Sequence, residues 1–154
     1  MMRKFSTVTY LLLIGLNACN APDTVVKSNS EPVYIANESL RESGFPLSSA
    51  VETDGLIFLS GMLGTVAGQG FVERGIETET RQTMENIKSL LAEQGLAMGD
   101  IVKCTVMLAD MSEWPAFNAV YKTYFDGQYP ARSAFAVSGL AGNARVEVEC
   151  IARR

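Results

Sequence analysis

The sequence predicts an α+β domain, with two helices packed on one face of a mixed β-sheet. Three observations predict it. Short apolar runs of strand composition stand at both ends of the folded part, around Val33 to Ser60 and Pro130 to Ala152. One long segment, Ile76 to Gln94, repeats its apolar residues at spacings of three and four. A second helical pattern lies between two further strand-like runs, giving the order strands, helix, strand, helix, strands.

Val33-Tyr34-Ile35 reads as a first strand, and Glu38 to Ser48, with Gly44 and Pro46, as a loop. Ser49-Ala50-Val51-Glu52-Thr53 and Leu56-Ile57-Phe58-Leu59-Ser60 flank Asp54-Gly55, a hairpin signal. Gly61-Met62-Leu63-Gly64 follows, then a turn-rich loop to Gly75. In the long helix Ile76, Thr80, Thr83, Met84, Ile87, Leu90 and Leu91 form one stripe that packs on a sheet, and Gly95 is its stop. Ile101 to Leu108 reads as a strand with Val102, Cys104, Val106 and Leu108 on one face. Ser112 stands where an N-cap would be, before a helix from about Trp114 to Phe125. Its apolar set is Trp114, Phe117, Val120, Tyr121, Tyr124 and Phe125. Gly127 to Pro130 closes it. Two strand-like runs follow, Pro130 to Val137 and Val146 to Ala152, on either side of Gly139 and Gly142.

Composition narrows the function. The 154 residues suit one domain, and an apolar content of 47% is enough for a core. There is no histidine, which excludes Ser-His-Asp and Cys-His triads and His-ligated zinc. Acid–base work falls to Glu, Asp, Tyr, Lys, Cys or water. Cys19, Cys104 and Cys150 show no paired metal spacing. Cys104 and Cys150 read as buried apolar residues; a disulfide between them is open to an exported chain, but nothing in the sequence places them adjacent.

The first residues read as a leader. Arg3 and Lys4 precede a short apolar run, Tyr10 to Leu16, too short to span a bilayer. It ends in Leu16-Asn17-Ala18-Cys19, which resembles the bacterial lipoprotein cleavage box. That resemblance implies a signal peptide over 1–18, lipid on Cys19 and an exported, membrane-anchored protein; an ordinary secretory peptide cut nearby is the alternative. Residues 19–31 are polar and read as a tether, and the domain covers 32–154. Without Arg3 and Lys4 the 13 basic residues become 11 against 17 acidic, a net of about −6, which argues against nucleic acid as partner.

Candidate chemistry gathers in the last two runs. Arg132 opens one of them, and Arg145, Glu147 and Glu149 share the face opposite Val146, Val148, Cys150 and Ala152. A guanidinium grips carboxylates bidentately. A glutamate can hold or activate water. Charged residues on strands most often form a solvated face with weak ion pairs, so spacing alone leaves both readings open.

Pro130-Ala131-Arg132-Ser133, followed at this distance by Val146-Glu147-Val148-Glu149, resembles the signature of the reactive intermediate deaminase (RidA/YjgF) family. Leu59-Ser60-Gly61, Gln82-Thr83-Met84-Glu85-Asn86-Ile87, Gly99-Asp100-Ile101-Val102-Lys103 and Phe117-Asn118-Ala119-Val120-Tyr121 fall in that family's order. The resemblance implies a chorismate-mutase-like fold, a homotrimer and ligand clefts between subunits. It implies hydrolysis of enamines and imines, such as 2-aminoacrylate and other 2-imino acids, to 2-keto acid and ammonia, without metal or cofactor. Arg132 would bind the substrate carboxylate, Glu147 would orient or deprotonate water with Glu149 as runner-up, and Gly61 and Asn118 would line the cleft. Two positions depart from the family's pattern: Leu47 stands where many members have Tyr, and Ala134 where a Cys is common. A non-catalytic protein that holds small carboxylates in the same cleft is the alternative. A nuclease or chaperone role carries little weight, and the acidic balance speaks against a nuclease.

Overall fold

In the computed structural model the described residues are 31–36 and 38–154. The leader, Cys19 and nearly all of the tether lie outside them. Among the described residues no helix is long and apolar enough to cross a membrane.

The first strand, β1 (Val33–Ile35), pairs antiparallel with β2 (Ala50–Thr53). Between them the segment expected to be loop contains a short helix, α1 (Glu38–Ser43). Gly44 ends it at a φ of +71°, so the loop signal marked the helix's stop rather than its absence. The hairpin from β2 to β3 (Leu56–Leu59) forms as expected. Asp54 and Gly55 both take positive φ, 51° and 74°, the pattern of a type I′ turn that matches the twist of the flanking strands. After a break at Ser60-Gly61 the chain forms β4 (Met62–Leu63), then the small pair β5 (Thr65–Val66) and β6 (Gly70–Phe71) inside the segment read as a turn-rich loop.

The long helix, α2 (Ile76–Glu93), buries the stripe Thr80, Thr83, Met84, Ile87, Leu90 and Leu91. It stops at Gly95, whose φ is +73°. Gly95 N donates to Ala92 O at 3.0 Å and Leu96 N to Leu91 O at 2.9 Å, a Schellman closure. Strand β7 (Ile101–Leu108) follows, then α3 (Trp114–Tyr121). The helix is shorter than its apolar pattern: it tightens into a 3₁₀ turn over Lys122–Tyr124. Ser112 does not cap it: the residue before α3, Glu113, makes no side-chain capping bond. Ser112 lies inside a 3₁₀ turn over Met111–Glu113, and the cap of that turn is Asp110, whose carboxylate accepts from Ser112 N at 2.8 Å. The last strands are β8 (Ala131–Ala136) and β9 (Val146–Arg153).

The main sheet has the order β1-β2-β3-β9-β7-β8, with β4 also on β9. It is mixed, since β7 and β8 are parallel and the other pairs antiparallel. Helix α3 carries the chain back between β7 and β8, as a parallel pair requires. The two runs of the C-terminal stretch are therefore not partners of each other. The core lies between α2 and α3 and one sheet face, where Met84, Ile87, Leu91, Phe117 and Tyr121 meet Val106, Leu108, Val146, Val148 and Ala152.

Cys104 and Cys150 are buried, as expected, and they are also bonded to each other. The register of β7 and β9 sets them directly opposite, with Cα atoms 4.1 Å apart. Pairing across 46 residues is a property of that register, invisible in either strand alone.

Candidate active site

Arg132 enters β8 opposite Cys104 of β7, on the face that carries the helices. Its guanidinium carbon lies 4.5 Å from the ring centroids of both Trp114 and Tyr121 and 5.7 Å from that of Phe117. These are successive turns of α3, so the helix lays an aromatic bed for the cation. Nη2 donates to Asn118 Oδ1 at 2.8 Å. No carboxylate lies within ion-pair range of Arg132 among the described residues. A planar fork is thus oriented by stacking and one hydrogen bond, with its remaining donors uncommitted to an anion. The Tyr121 hydroxyl beside it is buried and has no partner of good geometry among the described residues. Burial pushes its pKa up to about 12, against the pull of the Arg132 charge, so it is a neutral phenol. Ala134, in place of the family's cysteine, sits on the same face and packs against the core.

Glu147 lies on the other face. Its register partners are Met107 of β7 and Leu63 of β4. A Cβ built on Gly61 would sit 2.8 Å from the Glu147 Cδ and closer still to Oε1, so only glycine leaves room for this carboxylate. Burial first, and the like charge of Glu149 second, hold the Glu147 carboxyl above the usual carboxylate pKa. Ser60, beside Gly61, donates through Oγ to Ser48 O at 2.7 Å, which ties the Phe45–Ser49 segment to this spot. Leu47, one residue before Ser48, is exposed.

The four expected residues form two pairs, Arg132 with Asn118 and Glu147 with Gly61. The spacing suggested that the guanidinium and a following carboxylate make one polar site. Within one chain they do not: Arg132 shares the face of Cys104, Val106 and Val148, while Glu147 shares that of Thr105, Met107 and Glu149. Two cavities of the chain include neither residue. One, of about 260 Å³, is lined by Arg81, Glu85, Lys88, Met98, Thr123 and Tyr124. The other, of about 120 Å³ on the open face, is lined in part by Lys103, Thr105, Glu149 and Ile151. Glu149 shares the face of Glu147, as alternation predicts.

The family model described as Endoribonuclease L-PSP matches residues 40–154. The chain belongs to that family, the RidA/YjgF family. It is 41% identical over 108 residues to 2-iminobutanoate/2-iminopropanoate deaminase of Mus musculus, covering 70% of this chain and 80% of the mouse protein. The solved YjgF gene product of E. coli superposes with a TM-score of 0.73 at 31% identity, over 79% of this chain and 98% of that one. E. coli TdcF, solved with bound serine, gives a TM-score of 0.68 at 32% identity, over 71% and 88% of the two chains. These family members share the α+β fold described above.

Sequence reasoning missed the aromatic bed under Arg132. Its signal was present: Trp114, Phe117 and Tyr121 read as a core stripe at helical spacing, and only the position of β8 shows that a cation lies across it. It also missed the closeness of Gly61 and Glu147, which depends on β4 pairing with β9 far along the chain.

Proposed function

We propose that this protein is a deaminase-like hydrolase of 2-imino acids and their enamine tautomers, 2-aminoacrylate among them. The observation that carries the reading is Arg132: a stacked, half-buried guanidinium with no ion-pair partner among the described residues. Such a group is built to receive a carboxylate. The mouse relative named for 2-imino acids and the serine found in TdcF, which also bears a carboxylate, support the same class. The family's description names an endoribonuclease, but 17 acidic against 13 basic residues do not favour a polyanion.

In this reading Arg132 holds the substrate carboxylate, and Asn118 and Gly61 line the cleft. An enamine first takes a proton on carbon to become the iminium, R–C(=NH₂⁺)–COO⁻. Water attacks C2 while Glu147 orients it and accepts its proton. That proton passes to nitrogen, the C–N bond breaks as the C2 hydroxyl gives up its own proton to the departing ammonia, and 2-keto acid and ammonium leave. An iminium is already electrophilic, so this chain's residues need only place charge and water.

Since Arg132 and Glu147 face opposite sides of one sheet, the proposed cleft lies between subunits, in a homotrimer. The open face supports association: Phe58 is 40% exposed and Phe135 47%, with Ile151 and Met107 on the same side. Export with a lipid on Cys19 belongs to the same proposal. The Cys104–Cys150 disulfide supports an oxidising compartment.

The test is a coupled assay in which an amino-acid oxidase generates imino acids and semicarbazide competes for them. Wild type suppresses semicarbazone formation and Arg132→Ala does not. If wild type fails with every side-chain class while a carboxylate still binds at Arg132, the protein is a binding protein. Labelling with palmitate, lost in Cys19→Ala, tests the anchor.

A further inference from the structure

We propose that Glu79 and Asn86, two polar residues on one stripe of α2, are positioning residues for Glu147. They hold from behind the two strands between which it sits. This rests on the reading of Glu147 as the residue that orients water.

Positions 79 and 86 are two helical turns apart and share a face. The rest of that face is the buried stripe of Thr83, Met84, Ile87 and Leu90. A carboxylate and an amide placed there cost desolvation unless every bond is made. Glu79 is 0% exposed. Its Oε2 accepts from Arg145 N at 2.7 Å, its Oε1 from Gly75 N at 3.4 Å, and Arg74 Nη1 lies 3.7 Å from Oε1. Arg145 immediately precedes β9 and stands two residues before Glu147. Its guanidinium is gripped by Glu113, at 2.9 and 2.7 Å, so both its backbone and its side chain are fixed.

The other strand is held from the same helix. A Cβ on Gly64 would sit 2.8 Å from Glu79 Cα, so β4 ends against the helix backbone itself. Asn86 Nδ2 donates to Leu63 O and Thr65 O, each at 2.9 Å, on either side of Gly64. Gln82 Nε2 donates to Asn86 Oδ1 at 2.8 Å, which fixes the amide's orientation. Leu63 is the register partner of Glu147.

The arrangement answers a local need. β4 pairs with β9 through two residues only, after a break at Ser60-Gly61. So short a pairing does not set its own register. Yet the approach of Gly61 to the Glu147 carboxylate depends on it. The helix supplies the missing constraint at both strands, and neither Glu79 nor Asn86 bonds to Arg132 or Asn118. The proposal therefore predicts a loss in the chemical step with carboxylate binding kept.

The experiment compares wild type, Glu147→Gln, Asn86→Ala, Asn86→Asp and Glu79→Gln in the oxidase-coupled assay. Affinity for 2-ketobutyrate, sedimentation and thermal stability are measured in parallel. Asn86→Ala and Glu79→Gln should lose about tenfold or more in kcat, with KM and the 2-ketobutyrate affinity within about twofold of wild type. Asn86→Asp, the same shape without the donor, should be as poor as Asn86→Ala. If both positions keep wild-type kcat and lose only stability, they are structural and the proposal is overturned. If Glu147→Gln itself keeps full kcat, the reading beneath the proposal has failed, and the two failures are told apart in one series. Should the buried substitutions not fold, Gln82→Ala frees the Asn86 amide without touching the apolar stripe; a kcat fall of about threefold at constant KM supports the proposal, and an unchanged kcat overturns it.

Discussion

Gly61 and Glu147 are packed so closely that a methyl group on Gly61 would overlap the glutamate's carboxylate. Gly61 is not in the left-handed region, so its role here is space rather than backbone freedom. Gly61→Ala should therefore fold, push Glu147 off its position and cut kcat by about a hundredfold, since displacements of about 1 Å have that effect. Steady-state kinetics beside a thermal melt would check it. A variant with full kcat would show that the carboxylate's position is not used.

Arg132 is held by shape as much as by charge. Arg132→Lys keeps the cation but loses the planar fork that stacks on Trp114 and Tyr121 and bonds Asn118. KM for imino acids should rise at least about tenfold in that variant, and turnover should vanish in Arg132→Ala with sedimentation unchanged. Asn118→Ala removes one hydrogen bond to a charged group, which is worth about 1.5 kcal/mol, so its KM should rise about tenfold.

The raised pKa of Glu147 gives a pH signature. If the ionised form is the working one, activity falls as pH drops through a value above that of an ordinary carboxylate. Glu149→Gln removes the like charge and should move this acid limb to lower pH, while burial still keeps it above the unperturbed value. Stability runs the opposite way. A folded pKa above the unfolded one favours the fold when Glu147 is protonated, below the unfolded pKa. That contribution is lost as pH rises through the folded value. Glu147→Gln should thus melt higher than wild type at neutral pH while losing turnover. A melting point that falls instead would contradict the assignment.

The Cys104–Cys150 bridge closes a loop with a sequence separation of 46. A loop of that size constrains the unfolded chain by about 4 kcal/mol in the entropic account. Reduction, or Cys104→Ser with Cys150→Ser, should lower the unfolding free energy, measured by denaturant titration, by an amount of that order. Thiol titration after reduction should gain two groups over the untreated protein. No gain would mean the cysteines are free.

How much was legible beforehand follows the range of the interactions. The hairpin at Asp54-Gly55, the stripe of α2, its stop at Gly95 and the alternation of β9 were readable, because turn chemistry and side-chain periodicity act over a few residues. The residue types on offer were readable too: an arginine and glutamates on the last two strands, and no imidazole chemistry without histidine. The short α1, the 3₁₀ turn at Ser112 ahead of α3 and the early end of α3 were misread because local signals there admit more than one conformation.

What only the tertiary structure decided is which distant residues meet. The parallel register of β7 and β8 puts Arg132 over the aromatic bed of α3; the antiparallel register of β7 and β9 joins Cys104 to Cys150 and turns Glu147 to the other face. A one-residue shift in either register would reverse those faces, and no single strand carries that information. The sequence therefore determined the elements and the residue types available, and the sheet determined that Arg132 and Glu147 stand on opposite faces of one chain.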